Sequence, residues 1–382
     1  MRVRARRLVI ASSAVALTAA AVPAYAAITA PTAHVAVASA STSAEAVPGQ
    51  YIVTLKHTGA RLSKLTGVRR LLDFGDGFAA KLTPSELKKV QSDPNVAAIE
   101  QDQVFKINTT QKNVNWGPDR IDQHKLPLSH TYTYKHTGSG VDAYVIDTGI
   151  DTSLSQFQGR ANTVYGKKDC NGHGTHVAGI IGSKTYGVAK GVRLHGVQVL
   201  DCDGRGQTSD VIAGINWVIK HHGAKSVANL SLGGGKSTAL NNAVTKLSKA
   251  GVFVAVAAGN GDENGNPLNA CNTSPASAAS VEAVGASTSA DNRTSWSNYG
   301  KCVDIYAPGS NIKSTYLGGT AVLSGTSMAT PFVAGVAALY KSTYGQKSFG
   351  TVQSWLTSHA TLNAIKNNKP NTPNRLLYKS SL

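Results

Sequence analysis

Acid is scarce in this 382-residue chain: 21 Asp and Glu stand against 38 Lys and Arg, a formal charge of +17. The excess of base comes without the features that would turn it to nucleic acid. Lys and Arg are dispersed rather than gathered in one stripe, no spacing matches a zinc finger, and no basic–aromatic RNA-binding signature is present. Such a surface in an exported protein reflects solubility or attraction to acidic material. Long apolar runs are missing too. Past the first residues no segment approaches the roughly 20 apolar residues needed to span a bilayer. There is no H-E-x-x-H, so the pair His173 and His176 is not read as a zinc site. Internal repeats are absent, as is low-complexity sequence beyond one early stretch.

What is present begins with a basic run, Met1 to Arg7, then an apolar stretch from Leu8 to Val22 and the small-x-small ending Ala24-Tyr25-Ala26. This is a secretory signal with cleavage after Ala26, and it implies a secreted, extracellular product with no membrane attachment once cut. Four cysteines in an exported chain imply two disulfides, with three pairings open. Residues 27–49, rich in Ala, Ser, Thr and Val, read as a flexible connector. Between Gln50 and Asn108 the pattern becomes strand (Tyr51–Leu55), helix (Arg61–Leu72), strand (Phe78–Leu82), helix and strand (Val96–Ile99). The second helix is opened by a capping box with Thr83 as cap, Pro84 first and Glu86 third. That is a small α+β domain. From Asn113 onward continuous apolar strands (Val141–Asp147, Val227–Leu232, Val252–Val256, Val281–Val284) alternate with helices (Ser209–His221, Ser237–Lys249), each read as opened by a capping serine. This predicts an α/β fold, a mostly parallel sheet with helices on both faces, whose active groups gather at the carboxyl ends of strands.

Four residues stand where such a fold would do chemistry. Ser327 lies in Gly325-Thr326-Ser327-Met328-Ala329, directly ahead of an apolar helical run. There the unpaired N–H groups and the dipole of a helix start favour an oxyanion. Asp147 ends the strand Val145-Ile146-Asp147, and His173 sits between Gly172 and Gly174 at the head of another apolar helix. Asn260 follows a strand in Ala257-Ala258-Gly259-Asn260. Each signal alone has a plain structural reading: helix cap, turn aspartate, turn asparagine.

Together, in the chain order Asp, His, Ser, the motifs resemble the subtilisin-like serine peptidases, and within them the proteinase K branch and its aqualysin type. Trp116-Gly117, Ser183 to Lys190 and Asn374-Arg375-Leu376-Leu377-Tyr378 carry the finer resemblance. The resemblance implies a serine endopeptidase domain over 109–382, acting as a monomer on polypeptide substrates with broad specificity. Its nucleophile would be Ser327, its general base His173 and the orienting carboxylate Asp147, with Asn260 and the Ser327 N–H holding the oxyanion. Ser231, Leu232 and Gly233 would form one wall of the primary pocket and pair with substrate, and Ala257, Ala258 and Gly259 the other. Arg205-Gly206-Gln207-Thr208 departs from proteinase K, which has an aromatic residue at the position of Thr208. The aqualysin pattern pairs Cys170 with Cys202 and Cys271 with Cys302, each worth about 3–4 kcal/mol in the chain-entropy account. It also implies structural calcium, at the carbonyls of Ala279 and Val281 with the carboxylate of Asp304, and at a second site of Asp119, Asp122, Gln123 and Ser129. Residues 50–108 resemble the family's inhibitory propeptide, of ferredoxin-like fold. Its tail would lie in the active site until the chain cuts itself near Asn108–Thr109.

Overall fold

The computed structural model describes residues 37–38, 45–57, 68–106, 110–111 and 115–382. The signal segment, most of the Arg61–Leu72 helix and the Asn108–Thr109 bond lie outside them.

In the N-terminal region five strands form one sheet: β1 (Val37–Ala38), β2 (Glu45–Leu55), β3 (Arg70–Asp73), β4 (Gly77–Lys81) and β5 (Val96–Lys106), in the order β1-β5-β2-β4-β3. Leaving aside β1, which pairs parallel to β5, this is the antiparallel ferredoxin-like order. Two readings change here. Strand structure already starts at Glu45, inside the stretch read as a connector, because β2 pairs with β5 from Glu45↔Val104 onward. Arg70 to Leu72, read as the end of a helix, belong to a strand paired with β4 at Leu72↔Ala79 and Asp73↔Phe78, so pairing overrides local propensity. Helix α1 (Pro84–Gln91) carries the expected box: Thr83 Oγ1 accepts from the Glu86 N–H at 3.3 Å and Glu86 Oε2 accepts from the Thr83 N–H at 2.8 Å.

The larger region is built on nine strands. In chain order they are β6 (Asp142–Asp147), β7 (Ala161–Tyr165), β8 (Arg193–Gln198), β10 (Ser226–Leu230), β11 (Phe253–Ala257), β12 (Glu282–Ser287), β13 (Ile305–Pro308), β16 (Thr361–Leu362) and β17 (Arg375–Leu376). Their spatial order is β16-β17-β13-β12-β11-β10-β6-β8-β7, parallel throughout except for the β16–β17 edge pair. Outside this sheet, β9 (Arg205–Gln207) lies on an edge, and β14 (Ile312–Tyr316) pairs with β15 (Gly319–Ser324) as a hairpin. Alternate strand residues face two cores. Ala143, Val145, Ala255 and Val284 pack under α2 (His173–Gly182), α5 (Thr326–Tyr344) and α6 (Phe349–His359). Tyr144, Ile146, Val254 and Val256 pack under α3 (Thr208–His221) and α4 (Thr238–Lys249). Each fully buried Val, Ile or Leu contributes about 1.5–3 kcal/mol relative to exposure, so the two faces fix the sheet between helices.

Helix starts follow the expected chemistry with one exception. Ser237 caps α4, its hydroxyl accepting from the Leu240 N–H. At α3 the cap is Gln207 rather than Ser209, and Asp210 in the first turn accepts from the Gln207 N–H at 3.3 Å. Both expected disulfides, Cys170–Cys202 and Cys271–Cys302, are formed.

Candidate active site

The ends of β6, β10 and β11 and the starts of α2 and α5 converge on one edge of the parallel sheet. Asp147, the last residue of β6, is fully buried. One of its carboxylate oxygens accepts from the Thr148 N–H at 2.7 Å and faces His173 Nδ1 at 2.7 Å. His173 opens α2 behind Gly172, whose φ of +103° belongs to the left-handed region. A Cβ there would stand 2.4 Å from the Tyr316 ring, so only glycine fits. With no side chain at that cap, Asp169 supplies the cap from the preceding turn. Its carboxylate accepts from the N–H groups of Asn171, Gly172 and Thr175, each at 2.9 Å, and from the Thr175 hydroxyl. Sequence reasoning missed this residue; an aspartate closely preceding a helix that begins with glycine is the signal that would have found it.

Ser327 is the second residue of α5 and is almost fully buried. Pro331, four residues on, has no N–H to give the Ser327 carbonyl. The Ser231 hydroxyl takes that place, donating to Ser327 O at 2.7 Å. In return the Ser327 hydroxyl donates to Ser231 O at 3.0 Å, and His173 Nε2 has no hydrogen-bond partner among the described residues. The end of β10 and the start of α5 are therefore bolted together through Ser231. Asn260 is oriented from the same helix start: its Oδ1 accepts from the Thr326 N–H and from the Thr326 hydroxyl, both at 2.8 Å. That fixes which end of the amide is which. Thr326 went unnoticed in the sequence because it reads as one more small residue of the motif.

The expected pocket walls lie beside this centre. Leu232 is buried behind Ser231, and Gly233 follows. Opposite, Ala257 ends β11, and the Ala258 carbonyl accepts from the Asn298 side chain at 2.8 Å. Gly259 has φ +103°, its N–H donates to Thr326 Oγ1 at 3.1 Å, and a Cβ would meet Asn298 Nδ2 at 2.3 Å. Both walls are thus tied to the helix that carries Ser327. His176, the other histidine of the motif, is turned into the core between Ile312 O and Ala321 O at 3.0 and 3.2 Å, and burial pushes it down to about 3. It is a neutral packing residue.

The N-terminal region reaches this edge. The end of β5 pairs antiparallel with β9 at Gln207↔Val104, Gly206↔Phe105 and Arg205↔Lys106. Glu100, buried in β5, accepts from the Ala239 N–H at the start of α4, and Gln103 donates to Gly235 O at 3.0 Å. Asn216 of α3 donates to Phe74 O at 3.4 Å, and Lys246 pairs with Asp76.

Of the two expected cation sites, the first fits better. Val281 and Asp304 line a cavity of about 600 Å³. Asp304 Oδ2 accepts from the Ala283 N–H at 2.8 Å, and burial raises this carboxyl to about 6. The Ala279 carbonyl accepts from the Thr245 hydroxyl at 2.9 Å. In the second set the residues do meet, but their oxygens are already engaged. Asp119 accepts from Ser129 and His130, Asp122 from Thr133, and Gln123 Oε1 from the Ser129 N–H. Among the described residues no three His, Cys, Asp or Glu side chains gather as a ligand cluster, so a cation here leans on backbone carbonyls.

Comparison with known proteins agrees with this geometry. The model of the subtilase family matches residues 138–377, and that of peptidase inhibitor I9 matches residues 75–108. The chain is 46% identical over 374 residues to an extracellular serine proteinase of Thermus sp. (strain Rt41A), covering 87% of this chain and 90% of that protein. It is 41% identical over 355 residues to proteinase R of Parengyodontium album, covering 88% and 90%. A solved structure, that of a cold adapted subtilisin-like serine proteinase, superposes with a TM-score of 0.67 at 49% identity, covering 70% of this chain and 99% of that one. With the parallel sheet, the buried Asp147–His173 pair and Ser327 at the start of its helix, these matches make the chain a member of the subtilase family of serine proteinases, preceded by an I9 inhibitor domain.

Proposed function

We propose that this proteinase is an exported endopeptidase that uses Asp147, His173 and Ser327 as its catalytic triad and cuts itself free of its N-terminal domain. The observation that carries the reading is the buried Asp147–His173 contact of 2.7 Å, set beside a serine at a helix start. Rotation of the Ser327 side chain exchanges Ser231 O for His173 Nε2 as its hydrogen-bond partner. His173 then takes the hydroxyl proton as Oγ attacks a peptide carbonyl and returns it to the leaving amine. Asp147 holds the imidazole by Nδ1 and stabilises its charge. The developing oxyanion receives the Ser327 N–H and the Asn260 amide, whose orientation Thr326 sets. Small residues at Ala257, Ala258, Gly259 and Gly233 leave room for a sizeable apolar side chain, and no acidic residue stands among the named wall positions to select Lys or Arg.

The pairing of β5 with β9 supports the inhibitory role of the N-terminal domain, since an added edge strand is how a peptidase groove takes an extended chain. Calcium at Ala279, Val281 and Asp304 would supply charge balance for a buried carboxylate and tie β12 to β13. A fluorophosphonate probe tests the central reading: the mature protein should carry one adduct, on Ser327, and labelling elsewhere or not at all rejects it. Ser327→Ala should accumulate as a precursor that still begins ahead of Gln50, and normal maturation in a protease-free host would refute self-cleavage.

A further inference from the structure

Alternation along β10 turns Val227 and Asn229 to the sheet face that α5 covers, while Ala228 and Leu230 turn to the other. The register partners of Asn229 are Val145 of β6 and Ala255 of β11, both members of the apolar core on that face. Asn229 is fully buried there, and its Oδ1 has no hydrogen-bond partner among the described residues. An amide set in an apolar layer with one end unsatisfied costs stability. Packing alone does not account for it.

Its other end answers to Ser231. Asn229 Nδ2 donates to Ser231 Oγ at 2.8 Å, and Ser231 Oγ donates to Ser327 O at 2.7 Å. A hydroxyl has a single proton to give and can accept through its lone pairs. With the amide N–H already on its oxygen, the Ser231 proton is directed to Ser327 O. Turned end for end, the amide would set Oδ1 against that oxygen and draw the proton to itself. Ser327 O, which Pro331 leaves without a helical N–H, would then lose its donor.

The reaction needs what this chain of bonds holds. Ser231 grips Ser327 at two points, its hydroxyl on Ser327 O and its carbonyl on Ser327 Oγ. The second grip opens when Oγ turns to His173 Nε2. The first can stay, and it fixes the backbone about which the side chain pivots.

We infer that Asn229 is a positioning residue for the nucleophile: it orients the Ser231 hydroxyl, which holds the Ser327 carbonyl while the Ser327 side chain rotates to attack. This rests on the reading of Ser327 as nucleophile and carries its support inward to the middle of the sheet.

The test is a double-mutant cycle on the mature proteinase with Asn229→Leu and Ser231→Ala, read as kcat and KM on a chromogenic peptide. Asn229→Leu should lower kcat about tenfold and change KM by less than about twofold. Its unfolding midpoint should hold or rise, because the unsatisfied Oδ1 leaves with the amide. Ser231→Ala should lower kcat by a similar factor, and the double variant should match Ser231→Ala alone within about twofold. Unchanged kcat in Asn229→Leu overturns the inference, and a lowered midpoint beside it would make Asn229 a packing residue. A double variant slowed by the product of the two factors overturns it as well, because Asn229 would then act independently of Ser231. Should Asn229→Leu give no mature protein, Asn229→Ala takes its place in the same cycle. The fluorophosphonate label separates this from the reading beneath it. If the unsubstituted protein labels on Ser327 and the cycle fails, only the role of Asn229 falls; if it does not label there, both fall.

Discussion

Ile52 and Val53 are neighbours on one strand of the N-terminal domain, and they belong to different cores. Val53 packs with Leu55, Phe78, Val90, Val96 and Ile99 inside its own domain. Ile52, on the other face of the sheet, joins Ile212, Ala239 and Ala243 of the peptidase. The peptidase has no such divided loyalty: its helices α2 and α5 lie against one sheet face and α3 and α4 against the other, and α5 is buried without a break from Thr326 to Lys341. A domain whose small core is supplemented by its partner's surface depends on that partner for part of its burial. A domain with two complete cores is built to persist. The polar contacts between them follow the same division, since Glu100 and Gln103 serve backbone groups of the peptidase, not of their own domain.

This contrast can be broken at graded depths. Phe332→Ala, at the centre of α5 where the ring lies against Gly117, should cost the peptidase about 3–5 kcal/mol in denaturant unfolding of the Ser327→Ala protein. A loss below about 1 kcal/mol would mean the site collapses and the core is not as rigid as it looks. Asn260→Ala should lower turnover by about 10²–10³ with little change in KM and with the unfolding midpoint kept, as in subtilisin when its oxyanion asparagine is removed. A parallel rise in KM would point instead to a damaged pocket. Glu100→Ala removes a buried acceptor from the start of α4, and the cleaved N-terminal domain should bind about 10–100-fold more weakly, read from its dissociation rate. Unchanged dissociation would place the grip in the apolar contacts around Ile52. Thr83→Ala is the mildest, because it loses only the cap of α1 within the N-terminal domain. About 1 kcal/mol of that domain's stability should go, with the mature peptidase unaffected.

The geometry of the candidate site was legible in the sequence because its constraints are local. Asp147 ends an apolar strand, His173 and Ser327 open apolar helices, and the glycines beside them mark places where backbone must come close. The Thr83 and Ser237 caps were legible for the same reason. Arg70–Asp73 was not, because its strand exists only by pairing with Gly77–Lys81, and no local preference announces a partner. Gln207 was not, because glutamine is an unusual cap whose box is completed by Asp210. Thr326 and Glu100 escaped for a third reason: each acts on a backbone group brought near by folding, and its own neighbours in sequence do not mark the role.

The short strand Arg205–Gln207 has one last implication. Were the N-terminal domain released, as proposed above, the side of this strand paired with Val104 to Lys106 would become an unpaired row of amides and carbonyls. An exposed edge of that kind invites other chains to add to it, including other copies of the same protein. Two features work against self-recruitment: the edge is only three residues long, and it begins with an exposed arginine. If this edge takes peptide substrates, as the proposed function has it, it has to stay adhesive, and its shortness keeps that adhesion from propagating into aggregation.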